Sequence, residues 1–158
     1  MARQPAPDPA VDLDDLPGHH IRRLHQIAVA IFLQETEAHG LTPVQFAALQ
    51  GIAAAPGVDQ RTLARSIGLD TSTTGGVVDR LEARGLLERK VSPEDRRARL
   101  LGLTAEGQRL LAAATPDMLR AQQRMLEPLP PAQRAAFMAA LRTLVKANNA
   151  LSRAPSEA

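Results

Sequence analysis

The chain has no cysteine, no tryptophan, no tyrosine and only three phenylalanines. Without cysteine it can form no disulfide, thiol redox switch or thiolate metal site. Without tyrosine or tryptophan, polar anchoring of a ligand falls to histidine, arginine, glutamine or the backbone. No apolar run approaches the roughly 20 residues of a bilayer-spanning helix, and MARQPAPDPAVDLDDLPG at the start holds no signal-peptide core. A cytosolic protein without membrane contact is expected. A phosphate-cradling glycine loop, a nucleophile elbow and a HExxH pair are also missing, and the acidic residues fall mainly on expected helix surfaces. Neither an enzyme nor a bound cofactor is therefore expected. His19 with Glu37 or His39 gives no ligand pair at i,i+4 backed by a third ligand, so no metal site is expected.

What is present is charge, unevenly placed. The net charge is only +2 over 158 residues, a length that suits one domain with an extension. The first eighteen residues set Arg3 against Asp8, Asp12, Asp14 and Asp15. Residues 61 to 99 carry Arg61, Arg65, Arg80, Arg84, Arg89, Lys90, Arg96, Arg97 and Arg99. Their acidic counterparts are Asp70, Asp79, Glu82, Glu88, Glu94 and Asp95. A basic patch on a nearly neutral protein suits local phosphate contact better than indiscriminate polyanion binding.

Residues 1–17, rich in proline and aspartate, are expected to be a disordered tail, and 153–158 a second tail. Between them, 18–152 reads as one domain. Ile21, Leu24, Ala28, Ile31 and Phe32 have helical spacing, and Gly40 ends that run after His39. Thr42-Pro43-Val44-Gln45 combines an N-cap, a proline at the first helical position and a capping-box glutamine. The helix it opens should bury Phe46, Leu49 and Ile52. Asp59 caps a short helix with Leu63, Ala64 and Ile67 inward and Gly68 as its left-handed stop. Asp70 caps a second helix running to Gly85 with Val77, Val78 and Leu81 inward. LLERKV and RLLGL read as two strands either side of Ser92-Pro93. Two helices separated by a short turn and followed by a basic hairpin form a winged helix-turn-helix. Thr104 then opens a long helix in which Pro116 implies a kink or a split. A last helix covers about 131 to 151.

LTPVQFAAL at 41–49, LARSIGLDTST at 63–73, VDRLEARGLLER at 78–89, and Asp95-x-Arg97 followed by Leu103-Thr104-x-x-Gly107 together resemble the winged helix of the MarR family of bacterial transcriptional regulators. The order and spacing hold over roughly residues 19–151. The resemblance implies a mainly α fold with a two-stranded β wing. Its dimerisation helices would be about 18–39 and 104–151, and its DNA-binding part about 42–103. It also implies a homodimer on a pseudo-palindromic operator of double-stranded DNA, and a repressor released by an aromatic acid, a phenolic compound or an acyl-CoA. Long apolar faces on the terminal helices independently ask for a partner. A winged-helix interaction module without DNA binding is the alternative.

The expected DNA contacts are Thr71, Ser72, Thr73, Thr74, Gly75 and Gly76 at the start of the second helix, with Arg61, Arg65 and Arg84 on phosphates. Arg89 is a lesser phosphate candidate, whereas Arg80 and Glu82 are expected to pair within the chain. Arg96, Arg97 and Arg99 belong to the wing tip, where long cationic side chains can enter a narrow minor groove. From the family motif, Asp95 should hold Arg97 by a charge-assisted hydrogen bond. The sequence departs from the common pattern at Thr71, often arginine, and at Gly75-Gly76, often Thr-Arg or Ser-Arg. Two glycines inside a helix suggest close backbone approach, either to DNA or to a packing helix. For the small anionic or aromatic effector the expected contacts are His19, Arg22, Arg23, His25 and Gln26. Apolar contacts would come from Ile27, Ile31, Phe46 and Met118.

Overall fold

Four side-chain caps divide the middle of the chain into its elements. The Thr42 hydroxyl accepts from the Gln45 N–H at 3.3 Å and the Gln45 side chain accepts from the Thr42 N–H at 3.0 Å, completing the capping box. Asp59 accepts from the Thr62 N–H at 3.0 Å, Asp70 from Thr73 at 2.8 Å, and Thr104 from Gly107 at 3.0 Å. Each satisfies a donor that the first helical turn cannot.

The structure, a computed structural model, describes residues 11–152 and Pro155. Its elements are α1 (Pro17–Glu35), α2 (Pro43–Ala54), β1 (Val58–Asp59), α3 (Gln60–Ser66), α4 (Thr71–Ala83), β2 (Leu87–Val91), β3 (Arg99–Leu103), α5 (Ala105–Leu126) and α6 (Pro131–Ala147). Three-residue 3₁₀ turns stand at Leu13–Asp15, Glu37–His39 and Asn149–Leu151. The strands form one antiparallel sheet in the order β1-β3-β2.

Three expectations are corrected here, and of the two alternatives at Pro116 the split is ruled out. The tail expected over 1–17 ends earlier: Asp12 caps the 3₁₀ turn at Leu13–Asp15, and Pro17 is already the first residue of α1. Residues 1–10 of that tail, and 153, 154 and 156–158 of the other, lie outside the described residues. The first helix stops at Glu35, because buried Thr36 turns its hydroxyl onto the Phe32 carbonyl at 2.8 Å and a 3₁₀ turn follows to Gly40. The wing gains a third strand, β1, which pairs Val58 with Leu101 and Asp59 with Leu100. Two residues are too few to show alternation. Finally, α5 runs through Pro116 without splitting. The carbonyl that loses its donor belongs to exposed Ala112, where water can serve it.

The core is the winged helix itself. Leu49, Ile52, Leu63, Val78 and Leu81 are fully buried with Leu41, Leu86, Leu87 and Leu101 around them. From outside, α5 adds Leu111 and Ala114, and α1 adds Phe32, edge-on to Phe46. No residue of α6 is buried, and Ile21, Ile27, Leu144 and Val145 stand exposed on α1 and α6. No helix among the described residues is long and apolar enough to cross a membrane.

The Asp59 cap gives a first prediction. Hydrogen bonds from the Thr62 side chain, then from its backbone, hold the Asp59 carboxyl below its ordinary 3.8. A depressed carboxyl stabilises the fold above its unfolded value and loses that contribution as pH falls through the lower folded one. Asp59→Ala should lower stability by about 1 kcal/mol at neutral pH. The gap between parent and variant should narrow as pH falls below 3.8. Urea denaturation at pH 7 and pH 3 measures both, and a pH-independent gap would refute the assignment.

Candidate nucleic-acid interface

The inward face of α4 carries Thr74, Val77, Val78 and Leu81, all buried, so Ser72, Gly76, Asp79 and Arg80 fall on the outer side. Thr71, Ser72 and Thr73 are exposed on its first turn. Thr73 spends its hydroxyl on the Asp70 carboxylate at 2.6 Å, strengthening the cap. Thr74 does not belong with them. It is fully buried and its hydroxyl donates to the Asp70 carbonyl at 2.9 Å, so a residue expected at DNA is part of the core. Gly75 and Gly76 are half-buried in mid-helix, where each costs about 1 kcal/mol relative to alanine.

The arginines divide by what holds them. Arg89 of β2 is in close contact with Asp79 of α4, and its Nε lies 3.4 Å from Glu82, an ion pair without hydrogen-bond geometry. It therefore fastens the wing to the helix instead of standing free for phosphate. Glu82 is consumed there and not by Arg80, whose exposed side chain has no hydrogen bond or ion pair among the described residues. Arg84, expected on phosphate, donates to the Gly40 carbonyl at 2.8 Å and the His39 carbonyl at 3.3 Å, tying the end of α4 to the turn before α2. Arg61 and Arg65 stay on the exposed side of α3, beside Leu69, Asp70 and Thr71.

At the wing tip the Ser92 hydroxyl accepts from the N–H groups of Glu94 and Asp95 at 3.3 Å. The Asp95 carboxylate accepts from the main-chain N–H of Arg97 at 2.9 Å. The expected Asp95–Arg97 partnership thus exists, but through the backbone: Asp95 shapes the turn, and among the described residues no ion pair joins it to the guanidinium. Arg99 donates to the Arg96 carbonyl at 2.9 Å. Arg96, Arg97 and Arg99 are all exposed.

The expected effector residues do not converge. Arg23 lines an apolar cavity of about 500 Å³ between α1 and α6, with His20, Ile21, Leu24, Phe137 and Leu141 among its walls. His19 and Arg22 lie elsewhere on α1, 3.5 Å apart. Desolvation, then the charges of Arg22 and Arg23, lower the His19 pKa. His25 and Gln26 are exposed. Ile27 joins the cavity wall, while Phe46 belongs to the core. His39 is bonded to Asp117 of α5 at 2.6 Å. That link joins residues 78 positions apart, and neither residue is distinguished locally from a surface polar group.

A short α3, a turn of a few residues, an α4 with Thr71, Ser72 and Arg80 exposed, and a hairpin tipped with arginines define a winged-helix DNA-binding fold. The MarR family model matches residues 39–98. PcaV, a transcriptional regulator from Streptomyces coelicolor solved with its natural ligand, is 39% identical, with 88% of this chain and 98% of that one covered and a TM-score of 0.82. The repressor CouR bound to a 23-mer DNA duplex is 33% identical over 85% of this chain and 95% of its own, with a TM-score of 0.80. CouR has also been solved from Rhodococcus jostii with p-coumaroyl-CoA. BpsR of Bordetella bronchiseptica, whose DNA binding is regulated by 6-hydroxynicotinic acid, is 32% identical over 86% and 97%, with a TM-score of 0.81. The chain belongs to the MarR family of transcriptional regulators.

Proposed function

We propose that the protein is a homodimeric repressor that binds a pseudo-palindromic operator in double-stranded DNA and is released by a small aromatic or anionic effector. The observation that carries the reading is the placement of Arg96, Arg97 and Arg99 on an exposed wing tip fastened by Arg89 to the helix that presents Thr71 and Ser72. The helix suits a major groove and the wing the adjacent backbone or minor groove. Arg61 and Arg65 add phosphate contacts at the start of the unit. Two-fold pairing through α1, α5 and α6 would cover Ile21, Ile27, Leu144 and Val145 and set two α4 helices in successive major grooves. Sedimentation at micromolar concentration should give a dimer, and a stable folded monomer would contradict this.

A gel-shift with the DNA upstream of the protein's own gene tests the DNA reading, which the CouR complex supports. If no duplex is retarded at low salt, the interaction-module alternative replaces it. For the effector, Arg23 is the expected cation of the five because it stands on the apolar groove that holds Ile21, Ile27 and Leu144, which the partner subunit would close into a pocket where a carboxylate or thioester-bearing ring finds both charge and apolar surface. A ligand there can release DNA only by binding the DNA-incompetent dimer more tightly. Aromatic carboxylates and their CoA thioesters should lower operator affinity, and Arg23→Ala should blunt that response about tenfold while leaving ligand-free DNA binding near the parent's. Calorimetry and gel-shift with a panel of such compounds decide it. If none binds, the effector assignment fails.

A further inference from the structure

Both helices that run from the winged helix into the proposed dimer region are weakened where they leave it. α1 ends at Glu35, and the 3₁₀ turn Glu37–His39 carries the chain on to Gly40 and α2. α5 loses a main-chain hydrogen bond at Pro116, just beyond Leu111 and Ala114, which seat it against the winged-helix core. A helix lacking that bond bends more readily. The contact of His39 with Asp117 sets the two weak points side by side. Side chains must therefore fix the angle between the two parts.

The 3₁₀ turn is held from both sides. On the dimer side, His39 Nε2 donates to the Asp117 carboxylate at 2.6 Å, and the two side chains are only 13% and 18% exposed. Asp117 also holds Arg120, which lies 3.6 Å from Glu35 at the end of α1, and Arg124 donates to the same Glu35 at 3.1 Å. On the DNA side, Arg84 at the end of α4 donates to the main-chain carbonyls of His39 and Gly40. No hydrogen bond or ion pair joins Arg84 to Asp117 among the described residues, so the two meet only through residue 39. We infer that His39, Arg84 and Asp117 form the joint that fixes α4 against the dimer helices, and with it the half-site spacing an operator must have. Arg84 and Asp117 act in series through one turn, so a break on either side frees α4 to the same extent. The inference rests on the dimeric DNA-binding function proposed above and names the residues that set its geometry.

The absence of cysteine allows a direct test. A nitroxide on Ser72→Cys, one per protomer, reports the separation of the two α4 helices in the free dimer by pulsed electron paramagnetic resonance. The distance distribution should be narrow in the parent and clearly broader with Arg84→Ala or Asp117→Ala. Arg84 is exposed, so its variant keeps the fold. The double variant should be no broader than either single one, whereas two unconnected stabilising contacts would add. His39→Ala should broaden the distribution likewise. His39→Gln, whose amide can still donate to Asp117, should restore much of the parent's width. On DNA, the duplex retarded from upstream of the protein's own gene is compared with the same duplex carrying one extra central base pair, which moves the half-sites by about 3.4 Å. The unlabelled parent should prefer the original about tenfold or more, and Arg84→Ala or Asp117→Ala should shrink that preference to about threefold or less. Single variants with the parent's width and spacing preference overturn the inference, and so does a double variant broader than either. A parent whose labels show no dipolar coupling overturns the dimer and the joint with it. Labels that behave as expected while no duplex is retarded overturn the DNA-binding function and support the joint.

Discussion

Gly107→Ala should melt far below the parent, because the first turn of α5 lies directly on the main chain that leads into the wing. A Cβ at Gly107 would collide with the Leu86 carbonyl oxygen and its carbon, both backbone atoms that cannot rotate away. Three hydrogen bonds hold the helix there. The Thr104 N–H donates to the Leu86 carbonyl at 3.2 Å, the Thr104 hydroxyl to the Gly85 carbonyl at 2.6 Å, and the Gly107 N–H to the Thr104 hydroxyl at 3.0 Å. Relieving the collision means breaking this set or displacing buried Leu86 and Leu87. The expected loss is at or above the roughly 3 kcal/mol upper end of overpacking costs. At about 2–4 °C per kcal/mol, that lowers melting by at least about 6 °C. Gly102→Ala is the control: its Cβ would stand 4.0 Å from Glu88 atoms, so its effect should stay below about 1 kcal/mol. If Gly107→Ala melts within a degree or two of the parent, the docking argument is wrong.

Simultaneous replacement of Arg96, Arg97 and Arg99 by alanine should all but abolish operator binding while leaving the fold intact. All three side chains are exposed, and their one structural bond among the described residues is that of Arg99 to the Arg96 carbonyl. Stability should therefore move by no more than about 0.5 kcal/mol. For DNA the three differ. Arg97→Ala alone should cost about 1–3 kcal/mol on operator if it removes a groove contact. Arg96 and Arg99 are the phosphate contacts, and each one lost flattens the plot of log affinity against log salt by about 0.9. The triple variant should thus bind at least about a hundredfold more weakly at low salt and show a slope shallower by about 2 for each wing engaged. An unchanged salt slope would place these arginines away from DNA, and full operator affinity in Arg97→Ala alone would end the groove assignment for that residue.

The sequence by itself determined where α2, α3, α4 and α5 begin. Asp59, Asp70, Thr42 and Thr104 act within three residues of their own positions, so caps, helix phases and the order helix, helix, strand, strand were readable from local chemistry. The resemblance carried the function from there. Tertiary structure decided what each exposed-looking polar residue is used for. Thr74 and Ser72 are alike in sequence, yet the helix phase buries one and exposes the other. Arg80, Arg84 and Arg89 sit within ten residues. Only their surroundings send Arg84 to carbonyls 44 and 45 positions away and Arg89 to α4, and leave Arg80 on the outer side. The collision that demands glycine at 107 arises between residues 21 apart in sequence. Contacts of that separation are set by how packed elements meet, and a local pattern holds no record of them.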